Sequence, residues 1–496
     1  MNKILISNRG EIAVRIIKSC SEMGIKTVAV YSDIDKHAVH VRLASESYCI
    51  GSAPARESYL NQDKIIEIAK SSGCDAIHPG YGFLSENPSF AKKVEENNII
   101  FIGPSAEAMK LMGDKTSART FAKKIGVPIV PGTTDPIDNI TDAQRIAEEI
   151  SYPVLIKAAG GGGGKGMRII NKANDLEAGL RASKSEALSA FSDGRVYIEK
   201  YIENPRHIEV QILADAYGNV VHFGERECSI QRRHQKIIEE SPSTYIDEKI
   251  RADLTQAAVS LVKEAGYTNA GTVEFIFDQN KKFYFLEMNT RLQVEHPITE
   301  MRVGYDLVKE QIEIAKGNRL DFSQKDIKFE GHAIECRIYA EDPYNSFFPS
   351  TGKIINLRIP SGLGIRDDRG IEEKSEVSPY YDPLISKLIS FGKTREEARN
   401  RMSVALKQYR LIGLKNNINF CAWIINQPKF ISGEYDTGFI DKYFSVNELD
   451  KPSEEIITVA IIAALTKLQK NNHNLVEVSE NKSCSNWKNK KIDSFN

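Results

Sequence analysis

The sequence predicts a mixed α/β and α+β protein: an N-terminal doubly wound parallel sheet, a small α/β unit, and a larger, mostly antiparallel α+β domain. Three observations carry this. Strand and helix patterns alternate through the first hundred residues. Five consecutive glycines, Gly160–Gly164, stand between two short strands. Beyond His207 the strands lengthen and lie closer together. Alternation of the βαβ kind implies a parallel sheet covered on both faces, with ligands gathering at the carboxyl ends of its strands.

In order, residues 3–7 read as a strand, 11–23 as a helix and 26–31 as a strand. A helix over 64–71 and strands at 75–78 and 99–102 follow. The turns at 8–11 and 78–82 fall at strand ends, where a ligand would sit. No G-x-G-x-x-G follows the first strand, which disfavours a dinucleotide fold. A helix over 114–125 ends at Gly126, and 128–138 is turn-rich, a hinge. Strands at 154–158, 167–170 and 196–201 with two helices make the small α/β unit. A helix over 248–265 and a strand over 332–339 belong to the larger domain, which reaches about Phe444. A polar stretch then leads to an apolar helix at 456–467 and a loose Asn- and Lys-rich end.

A chain of 496 residues should hold roughly three domains. Net charge is −1 with 27% charged residues, so no global field points to nucleic acid or an anionic membrane. Seven cysteines are scattered without a C-x-x-C pair, which fits reduced thiols in a cytoplasmic protein. The start lacks a signal-peptide core, and no apolar run approaches the ~20 residues that span a bilayer.

The segment Glu287 to Glu295 alternates Glu287, Asn289, Arg291, Gln293 and Glu295 with Met288, Thr290, Leu292 and Val294. In an extended chain the five polar groups share one face. That set suits a metal ion and a small charged substrate; a half-buried strand with a wet outer face gives the same pattern. The strands 272–278 and 282–289 form a hairpin. Pairing Asp278 with Phe283 puts Glu274 opposite Glu287, among Phe275, Phe277, Phe283 and Phe285. Facing carboxylates repel unless a cation lies between them. Oxygen ligands from Glu274, Glu287 and Asn289 suit Mg²⁺ or Mn²⁺. A register slip would instead leave one Glu in solvent.

The glycine run brings backbone N–H groups close to phosphate oxygens, with Lys157 adding a point charge. It is not a P-loop, because Met167 follows Lys165-Gly166 and a strand follows in place of a helix. It reads as a flap over a nucleotide, or as a loose hairpin tip. Glu199-Lys200-Tyr201-Ile202 ends a strand and could present an edge to adenine. Arg206-His207 and residues 231–236 set cations and imidazoles ahead of the acidic hairpin. Arg337, among apolar residues in a strand, needs an anion partner if buried.

These residues resemble the biotin carboxylase component of biotin-dependent carboxylases, an ATP-grasp family. The matching motifs are S-N-R-G-E-I-A-V-R-I (7–16), H-P-G-Y-G-F-L-S-E-N (78–87), F-I-G-P-S (101–105) and G-D-K (113–115). K-A-A-G-G-G-G-G-K-G-M (157–167), Q-R-R-H-Q-K (231–236), E-M-N-T-R-L-Q-V-E-H-P (287–297), E-C-R-I-Y-A-E-D (335–342) and Y-Y-D (380–382) follow. They run collinearly from Met1 to about Phe444.

The resemblance implies an N-terminal biotin carboxylase domain at 1–113, linker helices and an ATP-grasp lid at 114–203, and a tail at 446–496. Between them, 204–445 would hold the ATP-grasp core and a mixed antiparallel carboxylase domain. It implies ATP-dependent carboxylation of biotin by bicarbonate through carboxyphosphate. In the carry-over, Lys115, Lys157, Gly161, Gly162, Gly163, Gly164, Met167, Glu199, Lys200, Tyr201, Ile202, His207, Gln231, His234 and Val294 surround ATP. Glu274, Glu287 and Asn289 hold Mg²⁺ or Mn²⁺, with two ions expected. Lys236, Arg291, Gln293 and Glu295 hold bicarbonate; Glu295 is the general base, and Arg337 stabilises the biotin enolate.

Phe191-Ser192-Asp-Gly departs from the family's usual Phe-Gly-Asp/Asn beside the lid, and altered lid motion is expected there. The chain shows no Ala-Met-Lys-Met motif, so biotin is expected on a separate carrier protein. A homodimer, with a carboxyltransferase subunit beside it, completes the expected assembly. The final acceptor is expected to be acetyl-CoA or propionyl-CoA, with pyruvate as the alternative. Two rivals share the flap and acids: another ATP-grasp carboxylate–amine ligase, and a non-catalytic ATP-binding subunit.

Overall fold

The computed structural model describes residues 1–133, 135–137, 139–158, 167–191, 193–449 and 461–466. It divides into two units, Met1–Val446 and Asn447–Asn496. The glycine run and Ser192 lie outside the described residues.

The first unit opens with β1 (Lys3–Ile6), β2 (Lys26–Ser32), β3 (Glu46–Gly51), β4 (Ala76–His78) and β5 (Ile100–Phe101) in a parallel sheet ordered β3-β2-β1-β4-β5. Period-two alternation buries both faces. Ile4 and Ile6 pack with Ile12 and Ile16 of the helix Gly10–Glu22, while Leu5 packs with Val28, Ile65 and Phe90. The strand β3 was not foreseen. It is an edge strand whose residues Glu46, Ser47, Tyr48 and Cys49 are only partly covered, so it shows no apolar run. The expected strand-end loops meet: Asn8 Nδ2 donates to the carbonyls of Pro79 and Tyr81, at 2.7 Å each.

The helix expected over 114–125 is present as Lys115–Lys124, and a helix that was not foreseen, Ala106–Gly113, precedes it, the two separated at Asp114. Asp114 caps Lys115–Lys124 by accepting from Ser117 N–H at 2.7 Å. A side-chain cap of this kind starts a helix where periodicity alone continues it. The strands β6 (Val154–Ala158), β7 (Arg168–Ile170) and β8 (Val196–Lys200) form an antiparallel sheet ordered β7-β6-β8. Its core includes Ile156, Ile198, Leu176 and Leu180.

The largest sheet has eight strands. β9 (Arg206–Ala214), β10 (Val220–Arg232), β11 (Gln235–Ser241), β12 (Asn269–Phe277), β13 (Phe283–Asn289) and β14 (His332–Tyr339) join the strands Leu384–Gly392 and Ile365–Arg369. The order is β13-β12-β9-β10-β11-β14, then these two. Every pairing is antiparallel, as expected beyond His207.

The hairpin register differs from expectation in an instructive way. Phe277 pairs with Phe283 and Phe275 with Phe285, one residue from the expected alignment. A bulge then leaves Leu286 unpaired and restores Glu274 opposite Glu287. Nor do the acids lie among the phenylalanines. Phe275, Phe277 and Phe285 are fully buried on the other face, against Leu254, Ala258 and Leu261 of the helix Glu248–Glu264. Strict alternation would put Glu287 on the Phe285 face; the extra residue turns it away, which is what a bulge does to a side chain.

A second correction concerns the polar row. Its strand ends at Asn289; Thr290 to Glu295 form a loop, and Glu295 stands at the N-cap of the helix His296–Val303. Arg291, Gln293 and Glu295 are therefore not on one strand with Glu287. Of the predicted tail helix, Ile461–Thr466 lies within the described residues and is helical. No helix among the described residues is long and apolar enough to cross a membrane.

Candidate active site

A cavity of about 820 Å³ opens above the large sheet. Every predicted site residue among the described ones lines it except Glu295: Lys115, Lys157, Met167, Glu199, Lys200, Tyr201, Ile202, His207, Gln231, His234 and Lys236 do so. Glu274, Glu287, Asn289, Arg291, Gln293, Val294 and Arg337 complete the set. Gly161, Gly162, Gly163 and Gly164 lie outside the described residues. Glu295 is fully buried beneath the floor.

The floor is built by cross-strand registration. Glu287, Glu274, Glu209 and Arg226 stand opposite one another on β13, β12, β9 and β10. Three acids in a row would repel, so cations must hold them. The Lys236 ammonium, from β11, reaches Glu209 at 2.5 Å, Glu274 at 3.0 Å and Glu295 at 2.6 Å. Arg226 Nε donates to Glu209 Oε1 at 2.6 Å, and its other nitrogens to Gln211, Thr272 and Thr299. Burial works against the Lys236 charge, but the three carboxylates hold its pKa well above the ordinary lysine value.

Glu295 is shared. Oε1 takes Lys236, and Oε2 accepts from Arg337 Nη2 at 2.9 Å. Arg337 Nε donates to Glu239 at 2.6 Å, supplying the anion partner its burial demands. Burial favours the neutral acid at Glu295; Lys236, Arg337 and Arg226 outweigh it and push its pKa well below the usual carboxylate range. The loop is also pinned from below, where Lys387, fully buried, donates to the Val294 carbonyl at 2.9 Å and pairs with Glu11 at 2.9 Å.

Glu274 accepts from Asn289 Nδ2 at 2.8 Å and Gln293 Nε2 at 3.0 Å, and faces His207 Nε2 at 2.9 Å. Burial disfavours its charge, yet Lys236 and His207 hold its pKa below the usual range. The same contact raises His207 despite burial. Gln231 lies 2.8 Å from His207 Nδ1. Glu287 pairs with Lys115 at 2.8 Å. Arg291 donates from Nε to Glu86 at 2.8 Å and from Nη2 to Asn289 Oδ1 at 2.9 Å, beside Gln293 at 3.1 Å.

At the far end Lys157 pairs with Glu199, which also takes Arg119 at 3.0 Å. Lys200 turns its ammonium to the carbonyls of Ser151 and Tyr152, at 3.0 and 3.2 Å. Tyr201, Ile202, Met167 and His234 contribute lining.

Glu274, Glu287 and Asn289 line the same cavity, and their side-chain oxygens are of the kind that a hard divalent ion takes. Two other acid groups, His207/Glu209/Glu274 and Glu209/Cys228/Glu295, are also close enough to ligate. The Lys236 ammonium already occupies both, bonding Glu209, Glu274 and Glu295. Sequence reasoning missed Glu86, Glu209, Arg226, Glu239 and Arg119. Glu86 lies in the 78–87 motif and Arg226 in the run Glu225-Arg226-Glu227, but neither pattern names a partner, and only the fold brings these residues to the site.

Three family models cover most of the chain. "Biotin carboxylase, N-terminal domain" matches residues 1–109, and "Carbamoyl-phosphate synthase L chain, ATP binding domain" matches 114–323. "Biotin carboxylase C-terminal domain" matches 335–442. The chain is 52% identical over 444 residues to biotin carboxylase 1 of Bacillus subtilis, covering 89% of this chain and 99% of the relative. It is 51% identical over 449 residues to the biotin carboxylase of Haemophilus influenzae, covering 90% and 100%. Among solved structures, the biotin carboxylase–β,γ-ATP complex of Campylobacter jejuni superposes with TM-score 0.86 at 48% identity, covering 89% and 99%. A second neighbour is the 2-oxoglutarate carboxylase biotin carboxylase domain dimer of Hydrogenobacter thermophilus, with MgADP, ADP and bicarbonate. It superposes with TM-score 0.87 at 47% identity, covering 91% and 99%. With the ATP-grasp core and its acid floor in place, the chain belongs to the biotin carboxylase family and is an ATP-dependent ligase that carboxylates biotin with bicarbonate, using Mg²⁺.

Proposed function

We propose that the 820 Å³ cavity carries both halves of this reaction, divided by the Lys236 ammonium. The observation that carries the reading is the three-way contact of Lys236 with Glu209, Glu274 and Glu295. One cation thereby links the metal-facing acid to the base.

Lys115 and Lys157, on the lid side, hold the nucleotide phosphates, and His207, Gln231 and His234 border them. Glu199 to Ile202 and Met167 enclose the base and ribose. Glu274, Glu287 and Asn289 hold Mg²⁺ or Mn²⁺. When bound, the metal neutralises phosphate charge and orients the γ-phosphoryl group.

Bicarbonate sits against Lys236, Arg291 and Gln293, within reach of Glu295. Lys236 turns from Glu295 to reach it, so Glu295 loses one of the cations that depress its pKa. Its basicity rises when the substrate arrives, and it accepts the bicarbonate proton. Arg337, held between Glu239 and Glu295, faces biotin and stabilises the negative ureido oxygen that develops as N1′ becomes nucleophilic.

Four parts carry these tasks: an N-terminal domain at 1–113, lid and linker at 114–203, ATP-grasp core with carboxylase domain at 204–445, and a tail at 446–496. The protein acts in the cytoplasm as a homodimer, beside a biotin carrier protein and a carboxyltransferase subunit. The dimeric Hydrogenobacter neighbour supports the first of these associations. Relatives named for different final acceptors match about equally. The propionyl-CoA carboxylase alpha chain of Sus scrofa does so at 51% identity, and the biotin carboxylase component of a pyruvate carboxylase at 48%. A shared first half-reaction accounts for that. An acyl-CoA acceptor is our reading for the assembly.

Bicarbonate-dependent ATP cleavage by the purified chain should rise with free biotin and disappear in Glu295→Ala. Stimulation by an amine acceptor and not by biotin would sink the proposal.

A further inference from the structure

Beside Arg337 lies a buried acid pair, of which the mechanism above uses Glu239 alone. Glu239 on β11 and Glu335 on β14 are register partners on adjacent antiparallel strands, and both are fully buried. Facing side chains in such a pair lie roughly 5 Å apart at Cβ. Glu239 Oε1 accepts from Arg337 Nε at 2.6 Å. Glu239 Oε2 and both Glu335 oxygens have no hydrogen-bond donor among the described residues.

The neighbouring charges are already committed. Arg226 takes Glu209, Lys236 takes Glu209, Glu274 and Glu295, and His207 faces Glu274. Lys387, opposite Arg337 on the next strand, is paired with Glu11. On the strand Leu384–Gly392 the residue opposite Glu335 is the apolar Ile389. From the helix His296–Val303, fully buried His296 stays neutral: burial and the charges of Lys387, Arg15 and Arg366 hold it well below the usual imidazole range. Glu335 is left as the surplus acid. An unpaired buried carboxylate is far costlier than a neutral carboxyl.

We propose that Glu239 and Glu335 are positioning residues for Arg337, holding one proton between them: Glu239 fixes the guanidinium as an anion, and Glu335 stays neutral behind it. Ionised Glu335 would put a second carboxylate beside the first and draw the guanidinium back from Glu295 and the cavity. Two carboxyls sharing a site cannot both ionise readily. Burial, then the charge of Glu239, pushes Glu335 well above the usual carboxylate range, in keeping with this assignment.

The role assigned rests on Arg337 being the biotin-facing group, but the shared proton does not. Infrared difference spectra of native protein against Glu335→Gln at pH 8 should show the carbonyl stretch of a protonated carboxylic acid in the native form alone. Absence of that band, or its persistence in the variant, overturns the shared proton. In steady-state assays with free biotin, Glu239→Gln should lower kcat about tenfold or more with KM for ATP unchanged, as expected for a misplaced reacting group. Glu335→Gln, which cannot ionise, should extend the alkaline limb of the kcat profile. Equal losses in kcat and ATP affinity, or an unmoved alkaline limb, count against positioning. Arg337→Ala carried in parallel separates the two readings: unimpaired biotin carboxylation there rejects the role of Arg337 and leaves the infrared result to stand alone.

Discussion

Glu274 faces Glu287 across the β12–β13 hairpin although the ladder below them is offset by one residue, because the bulge at Leu286 absorbs the difference. The bulge places the phenylalanines in the core and both acids on the cavity wall. Lys236 and His207 hold Glu274 and Lys115 holds Glu287, and the two facing carboxylates are the kind of oxygen donor that a hard divalent metal takes.

Glu287→Gln should therefore raise the Mg²⁺ concentration needed for half-maximal ATP cleavage by about 10- to 100-fold, since a carboxylate ligand is replaced by a weaker amide oxygen. Titration of activity with MgCl2 at saturating ATP measures this. An unshifted midpoint would place the metal elsewhere.

Lys236→Met removes the cation shared by three buried carboxylates. Leaving buried acids unpaired costs about 3–5 kcal/mol. Urea unfolding should show a loss of that order, together with loss of bicarbonate-dependent ATP cleavage. A variant as stable as the native chain would mean the acids take up protons without cost.

Glu86 comes from the loop after β4 and fixes Arg291 through Nε and the Thr290 N–H, at 2.8 and 3.1 Å. Glu86→Ala should raise KM for bicarbonate several-fold with a smaller change in kcat, the pattern of lost uniform binding. Equal KM values in the two proteins would remove Arg291 from bicarbonate binding.

Away from the site, burial and the charges of Asp321, Glu313 and Asp306 push Glu310 up to about 7. Its unfolded value is about 4.3. Between these values the folded chain holds more protons than the unfolded one, so stability falls as pH rises through this window. Glu310→Gln removes that loss. Its Tm advantage over the native chain should be near zero at pH 4 and largest above pH 8. A difference that does not vary with pH would be inconsistent with the raised value.

The sequence by itself determined the parallel N-terminal sheet, the antiparallel core and most of the polar groups lining the cavity. Those are legible because periodicity is local, and because long motifs such as residues 287–297 carry their chemistry in consecutive positions. Tertiary structure decided what spacing cannot. The row from Glu287 to Glu295 reads as one strand, but the chain leaves the sheet after Asn289, and Glu295 ends beneath the floor at a helix N-cap. Lys387, Glu239, Glu209 and Glu86 stand in no motif that announces a role. They hold the Val294 backbone, Arg337, Lys236 and Arg291 because strands distant in sequence are hydrogen-bonded neighbours. Period-two alternation tells which face a residue occupies; only the sheet's pairing tells which charge stands across from it.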